Sequence, residues 1–122
     1  MNPRVLFVDD EAPMRELLSL FFRERVLEVS PATTAADAME LADREDFSLA
    51  IVDLNLAGEN GLELLSFLKT NHPKLPVIIF TGMNFDEALV NEARNRGAEG
   101  FMSKTDSLDA LFREVKRVLL KH

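Results

Sequence analysis

Four short apolar runs each end on a residue that can do chemistry. "VLFV" at 5–8 runs into Asp9, Asp10 and Glu11, "LAIV" at 49–52 into Asp53, "VIIF" at 77–80 into Thr81, and "GFMS" at 100–103 into Lys104. One acid after a strand is ordinarily a turn residue or a helix cap, and acids in a first turn suit the helix dipole. Three adjacent acids exceed that need, because like charges held together repel and raise one another's pKa. Hard carboxylate oxygens without a nearby His or Cys fit Mg²⁺ and argue against Zn²⁺. Asp53, alone at the end of its run, is placed to accept a phosphoryl group as an aspartyl-phosphate. The metal would neutralise phosphoryl charge, with Lys104 and the Thr81 hydroxyl on the remaining oxygens. One acid of the cluster is expected to double as a helix cap.

That chemistry requires the four runs to end at one place. Strand candidates are Arg4–Val8, Leu27–Ser30, Leu49–Asp53, Val77–Phe80 and Glu99–Ser103. Helical spacing separates them: Met14, Leu17, Leu18 and Phe21; Ala35, Ala38, Met39 and Ala42; Leu64, Leu65 and Leu68; Leu89 and Ala93; and Leu108, Leu111, Val115 and Val118. Five alternating pairs imply an α/β fold, a doubly wound five-stranded parallel sheet with helices on both faces. "VLFV", "LAIV" and "VIIF" are apolar throughout, as central parallel strands are. "LEVS" alternates and Pro31 follows it, which suits an edge. The strand order is then 2-1-3-4-5, the flavodoxin-like order, in which ligands bind beyond the carboxyl ends of the strands. Strands 1 and 3 would be neighbours at roughly 4.8 Å, bringing Asp9 and Asp10 close to Asp53.

Bulk composition agrees with one domain over 1–122. The chain has 122 residues, 47% of them apolar, which is enough for a core. It has no cysteine, which excludes disulfide and thiol chemistry. No apolar stretch approaches a membrane span and no signal-peptide pattern opens the chain, so a soluble, cytoplasmic protein is expected. A net charge of −7 argues against nucleic acid as a direct partner. His72 and His122 are read as inert.

Taken in order, "FVDDE", "IVDLNLAGENG", "FTGM" and "GFMSK" resemble the receiver domain of two-component response regulators, and the likeness covers essentially the whole chain. The resemblance implies that Asp53 is the phosphoacceptor and Asp10 the direct Mg²⁺ ligand. Asp9 would act through water and Asn55 through its backbone carbonyl. Thr81 resembles the switch hydroxyl, Phe101 the switch aromatic and Lys104 the phosphate-binding lysine. The implied phosphoryl donor is a sensor histidine kinase or a phosphotransfer protein. The implied output surface is the fourth helix, fifth strand and fifth helix, with Asp86, Glu87, Val90, Asn91 and Arg94 outward on the fourth helix. That surface is available to an output domain, a partner protein or a second copy in a homodimer. Four positions depart from the family pattern: Leu56 for the frequent Met, Ala57 for Pro, Phe101 for the common Tyr, and Thr105 for Pro after the lysine. The Lys104–Thr105 peptide is expected to be trans, since a cis bond before a non-proline residue is costly.

Three functions compete. A phosphorylation switch, not a turnover enzyme, accounts for every site residue. A Mg²⁺-dependent phosphohydrolase with an Asp nucleophile would want a D-x-D spacing at strand 1 and extra length for a substrate cap. A degenerate receiver serving as a docking module should have lost an acid, the Thr or the Lys. Dinucleotide binding fails for want of a glycine-rich loop after strand 1.

Overall fold

Alternate residues of the central strands feed two separate cores, and this two-sided burial sets the architecture. The computed structural model describes residues 2–56, 58–82 and 86–121. Along the chain lie β1 (Arg4–Val8), α1 (Ala12–Arg23), β2 (Glu28–Ala32), α2 (Ala35–Arg44), β3 (Leu49–Val52), β4 (Asn55–Leu56), β5 (Glu59–Asn60), α3 (Gly61–Asn71), β6 (Val77–Thr81), α4 (Glu87–Asn95), β7 (Gly100–Ser103) and α5 (Leu108–Lys121). The main sheet is parallel in the order β2-β1-β3-β6-β7, as the sequence predicts, and β4 and β5 form a small antiparallel pair beside it.

One core gathers Leu6, Val8, Ala50, Val52, Val77 and Ile79 against Ala38, Ala42, Leu64, Leu65, Leu68 and Ala93 of α2, α3 and α4. The other packs Val5, Phe7, Leu49, Ile51, Ile78 and Phe80 against Leu18 and Phe22 of α1 and Leu111, Val115 and Val118 of α5. Fully burying each of the Val, Leu, Ile and Phe side chains contributes roughly 1.5–3 kcal/mol. This burial holds the strands in the register that the site needs.

Besides one-residue shifts at the ends of β3, β6 and β7, three details differ from the sequence reading. The second strand begins at Glu28 and runs through Pro31 to Ala32. Glu28 N donates to Pro3 O and Asp9 N donates to Ala32 O, so even-numbered residues of β2 face β1. Pro31 therefore turns its missing N–H to the open edge, where the ladder loses nothing. On α1, Leu17 is 49% exposed, while Leu18 and Phe22, an i,i+4 pair, are the buried residues. On α4, Asp86, Glu87, Asn91 and Arg94 are exposed as expected, but Val90 is half-buried. Ala57 and His122 fall outside the described residues, as does most of the loop after Gly82.

Candidate functional site

Register brings the acids together. Val8 pairs with Val52, and Asp53 N donates to Val8 O at 3.0 Å, so Asp9 and Asp53 are the next residues on neighbouring strands. Both are buried, as is Thr81. On the other side, Thr81 pairs with Ser103, and Lys104 N donates to Thr81 O at 2.9 Å. The lysine thus leaves the sheet beside the threonine and reaches back over the strand ends. The described residues hold no cis peptide bond, so the Lys104–Thr105 peptide is trans as expected.

The turn after Asp53 is shaped by close approach. Asn55 N donates to Asp53 Oδ1 at 3.1 Å, and Gly61 N donates to Leu54 O at 3.0 Å. A Cβ at Gly61 would lie 2.5 Å from Asp53 O and 2.6 Å from Leu54 Cα, so only glycine lets α3 start this near the acid. Gly58, at φ +89°, closes the β4–β5 hairpin. Asn60 then caps α3 by accepting from Leu62 N.

The cap expected from the acid cluster is absent. Glu11 occupies the N-cap position of α1 but makes no side-chain cap hydrogen bond. Asp9 Oδ1 accepts from Glu11 N at 2.9 Å, which fixes the Asp9 carboxylate without capping the helix. Arg15, one turn on, donates to Asp9 O at 2.8 Å.

Lys104 is the hub. Its Nζ donates to Glu11 Oε1 at 2.7 Å and to Asp53 Oδ2 at 2.8 Å, and lies 2.7 Å from Asp9 Oδ2. Burial alone would push its pKa down, but the carboxylates of Asp53, Asp9 and Glu11 override this and raise it, so it stays charged. One ammonium does not neutralise three acids equally. Burial drives the Asp9 pKa above its usual range against the opposing pull of Lys104, while Lys104 lowers that of the exposed Glu11. Asp9 Oδ2, fully buried, lies 2.7 Å from the Lys104 ammonium and has no other polar partner among the described residues.

A buried carboxylate oxygen held only by an ammonium suits a cation. Asp9, Asp10 and Asp53 each offer a carboxylate oxygen within 4.8 Å of the others, the one such group among the described residues. The donors are all oxygen, the set that Mg²⁺ or Ca²⁺ takes. Beside them opens a cavity of about 300 Å³ lined by Asp10, Glu11, Asp53, Asn55, Thr81, Gly82 and Lys104. Larger clefts of about 450 and 420 Å³ lie at the amino ends of the strands, near Arg4 and near His72, and gather no comparable set. His72 instead pairs with Asp43 at 2.9 Å, between α3 and α2. Phe101, on β7, is partly buried against the core beneath α3 and α4.

Of the residues expected from sequence, Asp9, Asp10, Asp53, Thr81 and Lys104 converge, and the Asn55 backbone joins them. Glu11 is one of the three acids of the cluster with no role assigned from sequence; its contact with a residue 93 positions away leaves no local sequence signal.

A family model described as "Response regulator receiver domain" matches residues 5–116. The response regulator protein PilR of Pseudomonas aeruginosa is 34% identical over 109 residues, covering 88% of this chain and 24% of that protein. The chain spans well under half the length of several curated relatives that it matches. A receiver domain protein (CheY-like) from Methanospirillum hungatei superposes with a TM-score of 0.93 at 26% identity, over 99% of this chain and 96% of that one. A response regulator from Burkholderia pseudomallei, solved with a phosphorylated aspartic acid, a calcium ion and citrate, superposes with a TM-score of 0.85 at 25% identity, over 91% and 65%.

Proposed function

Because the chain belongs to the response regulator receiver domain family, the phosphorylation-dependent switches of two-component signalling, we propose that Asp53 is its phosphoacceptor. The donor is the phosphohistidine of a sensor kinase or a phosphotransfer protein, and Mg²⁺ is required. The observation that carries this reading is the Asp53 carboxylate itself: one oxygen is pinned by Asn55 N, the other lies on Lys104, and both border the cavity.

In the transfer, an Asp53 oxygen forms a bond to phosphorus as the P–N bond of the donor breaks, and the electron pair leaves with the imidazole nitrogen. Asp10, Asp53 and the Asn55 carbonyl would hold Mg²⁺ directly and Asp9 would hold it through water; when bound, the ion neutralises charge on the phosphoryl oxygens. The phosphorylated aspartic acid and calcium ion of the Burkholderia pseudomallei relative support an acyl phosphate beside a hard cation. Lys104 keeps its charge and needs only to rotate from the Asp53 carboxylate to a phosphoryl oxygen.

The switch follows from the same oxygens. Thr81 turns its hydroxyl toward the phosphoryl group and vacates space that Phe101, on the neighbouring strand, fills. The loop that would lie over this space, Gly82–Phe85, falls largely outside the described residues. The α4–β7–α5 surface then changes, and an output domain, a partner protein or a second copy reads it. The phosphoryl group need only bind that state better than the resting one. Asp53 carries the phosphoryl group as the signal until hydrolysis of the acyl phosphate returns the carboxylate, so the chain acts as a self-resetting switch and not as a turnover enzyme on small substrates. Its donors set a cytoplasmic location; no helix among the described residues is long and apolar enough to cross a membrane.

The test is to phosphorylate the protein with acetyl phosphate and Mg²⁺ and map the product by peptide mass spectrometry. The reading expects one hydroxylamine-labile phosphoryl group on the peptide containing Asp53. A label that is stable to hydroxylamine, or that maps to another peptide, would refute it.

A further inference from the structure

We propose that Asp106 is a positioning residue for Lys104: its carboxylate closes the turn at the end of β7 and so aims the lysine at Asp53. The inference rests on Lys104 being the residue that holds the phosphoryl oxygens.

Lys104 sits inside the turn formed by residues 103–106, which is closed twice across its ends. Asp106 N donates to Ser103 O at 3.0 Å, and Ser103 N donates to Asp106 Oδ2, also at 3.0 Å. Thr105 adds to the closure: its N–H donates to Ser103 Oγ at 3.1 Å, and its own hydroxyl lies 2.7 Å from the same oxygen. A proline at 105 would have no N–H to give, so this turn depends on the residues that build it.

The lysine needs such a frame. A long, flexible side chain loses much rotamer freedom when it is ordered, so its aim depends on where the backbone starts it. On the near side the sheet fixes that start, because Lys104 N donates to Thr81 O. On the far side Thr105 and Asp106 are exposed, and no core packing fixes the chain there. The bonds of the turn take that part. From this start the stem crosses the strand ends and brings Nζ to 2.8 Å from Asp53 Oδ2. Asp106 is not occupied in capping the next helix. Ser107 does that, accepting from Ala110 N at 3.0 Å.

Substitution can separate the hydrogen bond from the charge. Asp106→Ala removes the acceptor, whereas Asp106→Asn keeps an acceptor oxygen at the same reach and removes the charge. Asp106 is exposed, so neither change touches the core, and urea denaturation checks that each variant is folded. The measurement is the rate of labelling by acetyl phosphate at saturating Mg²⁺, followed by intact mass. The proposal expects Asp106→Ala to label roughly three- to tenfold more slowly, the effect of one hydrogen bond, and Asp106→Asn to stay near the wild-type rate. In a Lys104→Met background, itself slow, Asp106→Ala should bring no further loss, because no ammonium remains to be aimed. A merely structural role would slow both backgrounds alike. A wild-type rate in Asp106→Ala, an equal loss in Asp106→Asn, or the same loss in both backgrounds would overturn the proposal while leaving the role of Lys104 intact. If instead Lys104→Met labels as fast as the wild type, the role of Lys104 fails and this inference falls with it.

Discussion

Asp9 and Asp53 are held by the same turn on neighbouring strands. Each Oδ1 accepts the backbone N–H two residues on, Glu11 N at 2.9 Å and Asn55 N at 3.1 Å. Each Oδ2 faces Lys104 Nζ, at 2.7 and 2.8 Å. Backbone thus fixes one oxygen of each acid and leaves the other for a cation, so the pair is preorganised before any ligand arrives.

On the proposed reading, Lys104 stands in for the metal in the cation-free protein. Its side chain is 10% exposed and two of its partners are buried. Lys104→Met should therefore destabilise the Mg²⁺-free protein by about 3 kcal/mol, the low end for breaking a buried pair. Mg²⁺ at a hundredfold excess over its Kd should return about 2.7 kcal/mol of that. Urea denaturation with and without Mg²⁺ checks both figures; a loss that Mg²⁺ does not reduce would separate the lysine from the metal site.

Acid should weaken the response to Mg²⁺. Burial raises the Asp9 pKa in the folded protein above its ordinary 3.8. Between the ordinary and the raised value, the folded protein binds a proton that the unfolded chain has released. As pH rises through that window the ionisation of Asp9 therefore costs stability, and a bound cation offsets this cost. Glu11, lowered by Lys104, works in the opposite sense and is lost as pH falls through its own depressed value. It is exposed, so its share is small. Melting curves across pH should show the Mg²⁺-induced rise in Tm shrinking as pH falls from neutrality toward the ordinary carboxylate range.

Gly61 should tolerate no side chain. A Cβ there would meet Asp53 O and Leu54 Cα, both backbone and therefore unable to swing away. Gly61→Ala should cost about 1–3 kcal/mol of stability, as overpacking does. It should also slow phosphorylation by displacing the Asp53 turn. Chemical denaturation together with the rate of acetyl phosphate labelling checks this; a variant with wild-type stability and rate would show that α3 can back away from the acid.

The fold and most of the site were legible in the sequence because both rest on short-range pattern. Runs apolar on both faces mark β1, β3 and β6 as central, and the residue closing each run must lie at the same end of the sheet. Boundaries were less legible. Pro31 reads as a strand end, yet on an edge its missing N–H points away from the ladder, so the strand continues to Ala32. Leu17 and Phe22 differ by little in hydropathy, yet Leu17 is half-exposed and Phe22 is fully buried. The contact of Glu11 with Lys104 and the close approach at Gly61 depend on tertiary distances of a few ångströms. Nothing periodic encodes them.

Thr81 should couple the phosphoryl group to the output surface. It is buried at the end of β6, paired with Ser103 beside Phe101 on β7. Thr81→Ala should leave Asp53 open to phosphorylation and remove most of the chemical-shift changes that phosphorylation causes on α4 and β7. Equal shifts in the variant and the wild type would exclude the hydroxyl as the link.

The identity of the phosphoacceptor is read most directly by intact mass after incubation with acetyl phosphate, in wild type and Asp53→Ala, each with Mg²⁺ and with all divalent metal chelated. The account predicts a single phosphoryl increment in the wild type with Mg²⁺ and none in the other three samples. An increment of equal size in Asp53→Ala, or in the chelated wild type, would contradict it.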